Sequence, residues 1–277
     1  MIVTKSILKK VYPKRKEWSK KGDFGRVLVI GGSYLYSGSP AFNALAAYRA
    51  GADLVTIFGP ECAADPVRAF APDIIFHPYK NNCFSSRNVK EALELAKKND
   101  AVVIGGGLTR SNETKSAVRE FIPKIKIPCV IDADAIHAMA GGSVKLNKDC
   151  IVTPHAYEFF VLTGKKVGHN LQERSHAVGI AAKKFNCTIM LKGHIDVISC
   201  GNKTVINNTG SSYMTKGGFG DTLAGVCAAL SCRTDSFTAA CAAAYINGSA
   251  GAEAAKKYKE STMASDLINE ISNMIKS

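Results

Sequence analysis

The sequence predicts an α/β fold with a mainly parallel central sheet and helices on both faces. Two observations carry this. Short Val- and Ile-rich runs alternate with longer Ala/Leu-rich segments, and the early runs are apolar on both faces, as strands covered from both sides must be. The 277 residues, 46% hydrophobic and 21% charged, have ordinary globular composition and enough chain for a large core. That composition excludes a disulfide-stapled miniprotein, a coiled coil and wholesale disorder.

Taken in order, the elements read as follows. RVLVI (26–30) is the first strand and is followed by a small-residue helix over 40–50. DLVTI (53–57) is the second, then a helix at 87–98 leads to AVVIG (101–105). A helix at 113–121 precedes PCVID (128–132), and one at 134–140 precedes CIVT (150–153). Helices at 157–163 and 171–185 lead to TIMLK (188–192) and DVISC (196–200), and helices at 220–231, 236–255 and 263–276 close the chain. No linker or repeat interrupts the pattern, so we expect one α/β domain over 21–277 with a basic segment, 1–20, attached.

The charge is concentrated. Of the formal +13, nine Lys/Arg against Glu17 and Asp23 place +7 within residues 1–26. A basic balance suits anionic partners: nucleic acid, a membrane surface or a phosphorylated small molecule. Tyr12 and Trp18 are the segment's aromatics, and it shows no zinc finger or helix-turn-helix pattern, so no nucleic-acid partner is expected; its charges read as a solvated face. It lacks the apolar run of a secretory signal, and no stretch approaches the roughly 18 apolar residues of a membrane helix, so no membrane partner is expected. The nine cysteines, odd in number and without a Cys-x-x-Cys pair, read as free thiols of a reducing cytoplasm, with Cys129, Cys150, Cys187, Cys227 and Cys241 buried in apolar runs.

In open α/β sheets, ligands bind beyond the carboxyl ends of the strands. Gly31–Ser33, Gly105–Gly107, Asp132–Asp134, Thr153–His155 and Lys192–Gly193 occupy such positions. Most informative is Thr215–Lys216–Gly217–Gly218–Phe219–Gly220–Asp221–Thr222, which runs into an apolar helix. Glycines before a helix let backbone N–H groups converge on a phosphate or oxyanion, and a carboxylate there can take a proton from an attacking hydroxyl. The alternative makes Asp221 a helix N-cap and the glycines a tight turn. His155 and Glu158 carry similar pairs of readings: ligand contact or a satisfied structural group for the first, an Mg²⁺-ordering or an exposed first-turn carboxylate for the second. Asp132 and Asp134 could position substrate or water, or cap a helix. His137, His169, His176 and His194 have no zinc-like spacing.

KGDFGRVLVIGGS (21–33), YSGSPAFNALAAYRAGADLVTI (36–57), GGGLTR (105–110), IDADAI (131–136), TPHAYEF (153–159), LKGHIDVIS (191–199) and TGSSYMTKGGFGDTLAG (209–225) together resemble the ADP- or ATP-dependent NAD(P)H-hydrate dehydratases of the ribokinase-like superfamily. The resemblance runs from Lys21 to about Ala255 and implies a ribokinase-like three-layer sandwich. It makes Asp221 the catalytic acid/base and the backbone of Gly218, Phe219 and Gly220 the anion hole. Ala41, Gly107, His155 and Asp221 match substrate positions, while Lys192, Gly193, His194, Ile195 and Asp196, with Gly220, match the adenine-nucleotide site. The family often has Thr where Asp196 stands, and Gly-Pro-Gly where Gly105–Gly107 stands. Glu158 falls where superfamily sugar kinases order Mg²⁺ through water.

The resemblance implies that ATP or ADP phosphorylates the ring hydroxyl of hydrated NADH or NADPH and that phosphate elimination restores the cofactor, a metabolite-repair lyase reaction. The same parts also suit a small-molecule kinase acting on a sugar or vitamin precursor. It further implies a homo-oligomer, tetramers being common. The fused epimerase of many relatives does not fit this length, so we expect any epimerase on a separate polypeptide.

Overall fold

Strand β1 (Arg26–Ile30) lies third from one edge of a nine-stranded sheet, paired in parallel with β2 (Leu54–Pro60) on one side and β4 (Ala101–Ile104) on the other. Beyond β2 lies β3 (Ile75–Tyr79), and beyond β4 follow β5 (Cys129–Ile131), β6 (Cys150–Val152), β7 (Thr188–Leu191), β8 (Asp196–Ser199) and β9 (Thr204–Asn207). The seven strands from β1 to β7 run parallel; β8 and β9 are antiparallel additions. This computed structural model describes residues 1–141 and 144–276, so 142, 143 and 277 of the expected 21–277 unit lie outside the described residues.

Two strands depart from the sequence expectation. β3 contains Pro78, which has no N–H to give a ladder and is tolerated because β3 is an edge. β9 is four residues long and is held by a tight turn after β8. The β7–β8 connection, Lys192–Ile195, is too short for the crossover that parallel pairing requires, hence the reversal.

Helices α1 (Leu8–Val11), α2 (Gly38–Arg49) and α3 (Ala64–Phe70) precede α4 (Ser86–Ala96), α5 (Asn112–Phe121), α6 (Ala133–Met139), α7 (Ala156–Thr163) and α8 (Leu171–Phe185). The chain ends in α9 (Phe219–Ser231), α10 (Ser236–Tyr258) and α11 (Ala264–Lys276). Alternate strand residues feed two cores. Val27, Val29, Val103 and Val130 pack with α2, α9, α10 and α11; Leu28, Ile30, Ile104 and Ile131 pack with α4 through α8. These are the expected three layers, set by the two-residue period of a strand.

The crossing of α2 and α9 places the site. Ala44 and Ala47 on α2 face Ala224 and Ala228 in the same core, and Gly225 permits the closest approach: a Cβ there would lie 2.1 Å from the Asn43 carbonyl oxygen. Small residues on both helices therefore bring their first turns together.

The basic segment is docked by its apolar residues. Val3, Leu8 and Val11 are buried, Val3 N–H donates to Ile206 O at 2.9 Å, and Ile206 N–H donates to Met1 O at 3.0 Å, so the chain start flanks β9. The Lys and Arg side chains of residues 1–26 are all exposed. All nine cysteines are free, and Cys129, Cys150, Cys187, Cys227 and Cys241 are buried. No helix among the described residues is long and apolar enough to cross a membrane.

Candidate active site

Gly218 caps α9 with φ +98°, a left-handed conformation that suits glycine. The first intrahelical bond of that turn is Thr222 N–H to Gly218 O, 2.9 Å, so the N–H groups of Phe219, Gly220 and Asp221 precede it and have no helical acceptor. Phe219 is buried and its carbonyl accepts from Thr222 Oγ1 at 2.8 Å, which fixes the turn from inside. The result is a rigid set of convergent donors at the positive end of a 13-residue helix.

Asp221 lies at the mouth of this turn. Its Oδ1 accepts from Ser39 Oγ at 2.7 Å, and its backbone carbonyl accepts from Asn43 Nδ2 at 2.7 Å. Ser39 and Asn43, four residues apart, share one face of α2. From the opposite side, a Cβ on Gly106 would lie 2.6 Å from Asp221 Oδ1, so only glycine leaves the carboxylate its room. Burial, aided by the Asp132 charge, pushes the Asp221 carboxyl up to about 7, against the lowering effects of Ser39 and Lys192. That value suits a group that takes a proton near neutral pH.

A second cluster lies beneath Gly220. Lys192 Nζ is 2.7 Å from Asp132 Oδ1 and 3.8 Å from Glu158 Oε2. His155 caps α7: its Nδ1 accepts from the N–H groups of Tyr157 and Glu158, both at 3.2 Å, while Glu158 Oε2 accepts from His155 N–H at 2.8 Å. An accepting Nδ1 leaves the proton on Nε2, which stands 3.4 Å from Glu158 Oε1. Burial raises the Glu158 carboxyl.

A cleft of about 720 Å³ opens between Lys192, the first residues of α9 and the 210–216 loop; Phe219 and Gly220 line it, whereas Asp221 lies outside its lining. Lys192, Gly193, His194, Asp196, Gly220 and His155 all line it. Ile195 does not; its carbonyl accepts from Arg174 Nη2 at 3.4 Å. Asp196 accepts from Gly193 N–H at 3.0 Å and from Asn207 Nδ2 at 3.1 Å, pinning the β7–β8 turn. Gly107, at φ +68°, packs against Tyr36 beside Gly106. Ala41 is buried on α2 and borders a smaller hollow with Phe42 and Phe70, outside the large cleft.

The contacts of Ser39 and Asn43 on Asp221 are not anticipated by the sequence reading, although their i, i+4 spacing after Tyr36 is a usable signal. Asn247 and Gly248, which α10 brings to the cleft, give no such signal. Among the described residues, no group of three or more His, Cys, Asp or Glu side chains could hold a metal ion directly. Glu158, with Oε2 engaged by its own helix cap, fits an outer role through water and not direct ligation.

Fold and site together define a ribokinase-like α/β protein in which a glycine-capped helix turn with unpaired backbone donors borders a cleft of about 720 Å³. The chain belongs to the NAD(P)H-hydrate dehydratase family, whose sequence profile it matches over residues 27–273. It is 44% identical over 265 residues to the bifunctional NAD(P)H-hydrate repair enzyme Nnr of Pyrobaculum aerophilum, covering 95% of this chain and 52% of that one. The chain thus spans about half the length of the bifunctional relatives. It is 36% identical to the ADP-dependent (S)-NAD(P)H-hydrate dehydratase of Cenarchaeum symbiosum, covering 97% and 94% of the two chains. Among solved structures, it resembles the ADP/ATP-dependent NAD(P)H-hydrate dehydratase of Bacillus subtilis co-crystallised with ATP/Mg²⁺, with a TM-score of 0.83, 25% identity and coverage of 99% and 97%. A ribokinase-like protein of Enterococcus faecalis shares the fold at a TM-score of 0.87 and 23% identity, covering 99% and 95% of the two chains.

Proposed function

We infer that this protein dehydrates hydrated NADH and NADPH, with ADP or ATP as phosphoryl donor. The observation that carries the reading is the Asp221 carboxylate, raised to about 7 and held by Ser39 at the N-terminus of α9. Membership of the dehydratase family selects the acceptor over the sugars and vitamin precursors of the kinase alternative.

Hydroxide is a poor leaving group at neutral pH, and phosphate is a better one. Asp221 takes the proton of the ring hydroxyl as its oxygen attacks the donor's terminal phosphorus, and the N–H groups of Gly218, Phe219 and Gly220 balance the charge on the phosphoryl oxygens. The ring nitrogen's lone pair then expels phosphate, the adjacent carbon loses its added proton, and the reduced ring is restored.

Ala41, Gly107 and His155 contact the substrate in this reading. Lys192 through Asp196, with Gly220, hold the nucleotide. Mg²⁺ bound to the nucleotide phosphates would lower their charge, with Glu158 orienting one of its waters. The catalytic unit spans 21–277 with the basic 1–20 segment attached. We further propose a cytoplasmic homo-oligomer. Incubation of hydrated NADH with either nucleotide tests the activity. Recovery of the reduced nicotinamide absorbance is expected, whereas a stable phosphorylated product without recovery would point to a kinase.

A further inference from the structure

Lys192 leaves the end of β7 with its backbone N–H bonded to Pro154 O at 2.8 Å, and its side chain is only 18% exposed. A Cβ placed on Gly220 would lie 3.4 Å from Lys192 Nζ and 3.9 Å from Asp132 Oδ2. The ammonium thus lies against the first turn of α9, at the anion-binding end of the cleft. Asp132, 3% exposed, holds it there at 2.7 Å and is itself fixed by Thr153 Oγ1, which donates to the same oxygen at 2.8 Å. The following residue, Ala133, has φ +47°, a strained conformation of the kind that persists where the surrounding structure imposes it.

The charge balance gives this geometry a purpose. Asp132, Glu158 and Asp221 all act on Lys192, and each would repel an anionic phosphoryl group brought to this turn. Burial by itself would push the Lys192 ammonium down, but those three carboxylates outweigh it and hold the group above its ordinary value. A protonated Lys192 offsets their repulsion with a full charge, where the helix supplies only partial ones.

Resting on the dehydratase reading for the identity of the acceptor, we propose that Asp132 is a positioning residue that holds Lys192 beneath Gly220 as the cation facing the phosphoryl group in transfer. In that step the donor's terminal P–O bond breaks and its electrons remain on the leaving nucleotide. A new P–O bond forms to the ring hydroxyl, and the hydroxyl proton goes to Asp221. Lys192 transfers no proton.

A double-mutant cycle tests this. Lys192→Met should lower kcat for hydrated NADH about 100-fold with KM little changed, as for loss of a donor to a developing oxyanion. Asp132→Asn should lower kcat about 10-fold in the wild type and not further in the Lys192→Met background, because Asp132 acts only through Lys192. An equal Asp132→Asn effect in both backgrounds, or wild-type kcat in Lys192→Met, would overturn the proposal. Lys192→Met leaves two buried carboxylates unpaired and could fail to fold; the double variant removes one of them, and thermal midpoints identify folded protein. Binding of fluoroaluminate with AMP and with ADP gives an acceptor-independent readout. Lys192→Met should lose the fluoroaluminate-dependent gain over and above any weaker binding of the nucleotide alone, and an undiminished gain refutes the role. If the wild type does not turn over hydrated NADH, the dehydratase reading fails, and this binding arm still decides the position of Lys192.

Discussion

Ser39 Oγ donates a 2.7 Å hydrogen bond to Asp221 Oδ1, joining the first turns of α2 and α9 across 182 residues of sequence. The contact stabilises the ionised carboxylate against burial and the neighbouring Asp132, so the proposed base is available near neutral pH instead of being permanently protonated.

Ser39→Ala should move the acid limb of the kcat–pH profile upward. A hydrogen bond to a charged group contributes about 1.5–3 kcal/mol, so the midpoint should rise by about one to two units. At pH well above that midpoint kcat should stay close to wild type. A fall that is equal at every pH would indicate lost geometry instead of a shifted proton affinity.

Asp221→Asn should fold and lose at least about 100-fold in kcat, the low end of a general base's contribution. Wild-type activity should decline as pH falls through about 7, because the base must be ionised. Stability runs the other way. With the folded carboxyl raised to about 7 from 3.8, the folded state binds the extra proton between those values, so this group's contribution to stability is lost as pH rises through them. The variant should therefore melt higher than wild type at pH 8 and show no such gain at pH 3. Equal differences at both would remove the burial account of Asp221.

Gly225→Ala places a methyl against the backbone of Asn43, which cannot move without parting α2 from α9. We expect a loss of about 1–3 kcal/mol, typical of overpacking, together with a fall in kcat as Ser39 draws away from Asp221. Thermal melts and kcat measured on the same samples check both. A stable variant of unchanged activity would show that the crossing does not position the base.

Leu8→Ala should cost about 2–4 kcal/mol, as for other buried leucines, while leaving KM for both substrates unaltered. Neutralising Lys9 and Lys10, which are exposed, should leave the melting temperature unchanged. Reversal of that pattern would show that the segment's charge, and not its apolar side, ties it to the body.

Most of the parallel sheet and the longer helices of both layers were legible because their apolar patterns are clean, as in RVLVI and the segment from Leu223 onward, whereas the short α1 (Leu8–Val11) and α3 (Ala64–Phe70) were not. β3 was hidden by Pro78, and β9 because Thr204 and Asn207 flank just the apolar pair Val205–Ile206, each strand being an edge with little apolar pattern of its own. At the site, the glycines and Asp221 stand out because phosphate-binding turns need local sequence. Lys192, Asp132 and Glu158 come from different strand ends, 26 to 60 positions apart, and only the sheet order β5-β6-β7 makes them neighbours. The docking of Val3, Leu8 and Val11 was masked by the lysines between them.

In the proposed reaction, Asp221 directs a phosphoryl group onto a hydroxyl which is then eliminated. The most direct measurement is the ratio of inorganic phosphate released to NADH regenerated when wild type and Asp221→Asn are each given hydrated NADH with ADP or ATP. The account predicts one phosphate per NADH, with both products lost together in the variant. Regeneration of NADH without nucleotide, or phosphate release without regeneration, would contradict it.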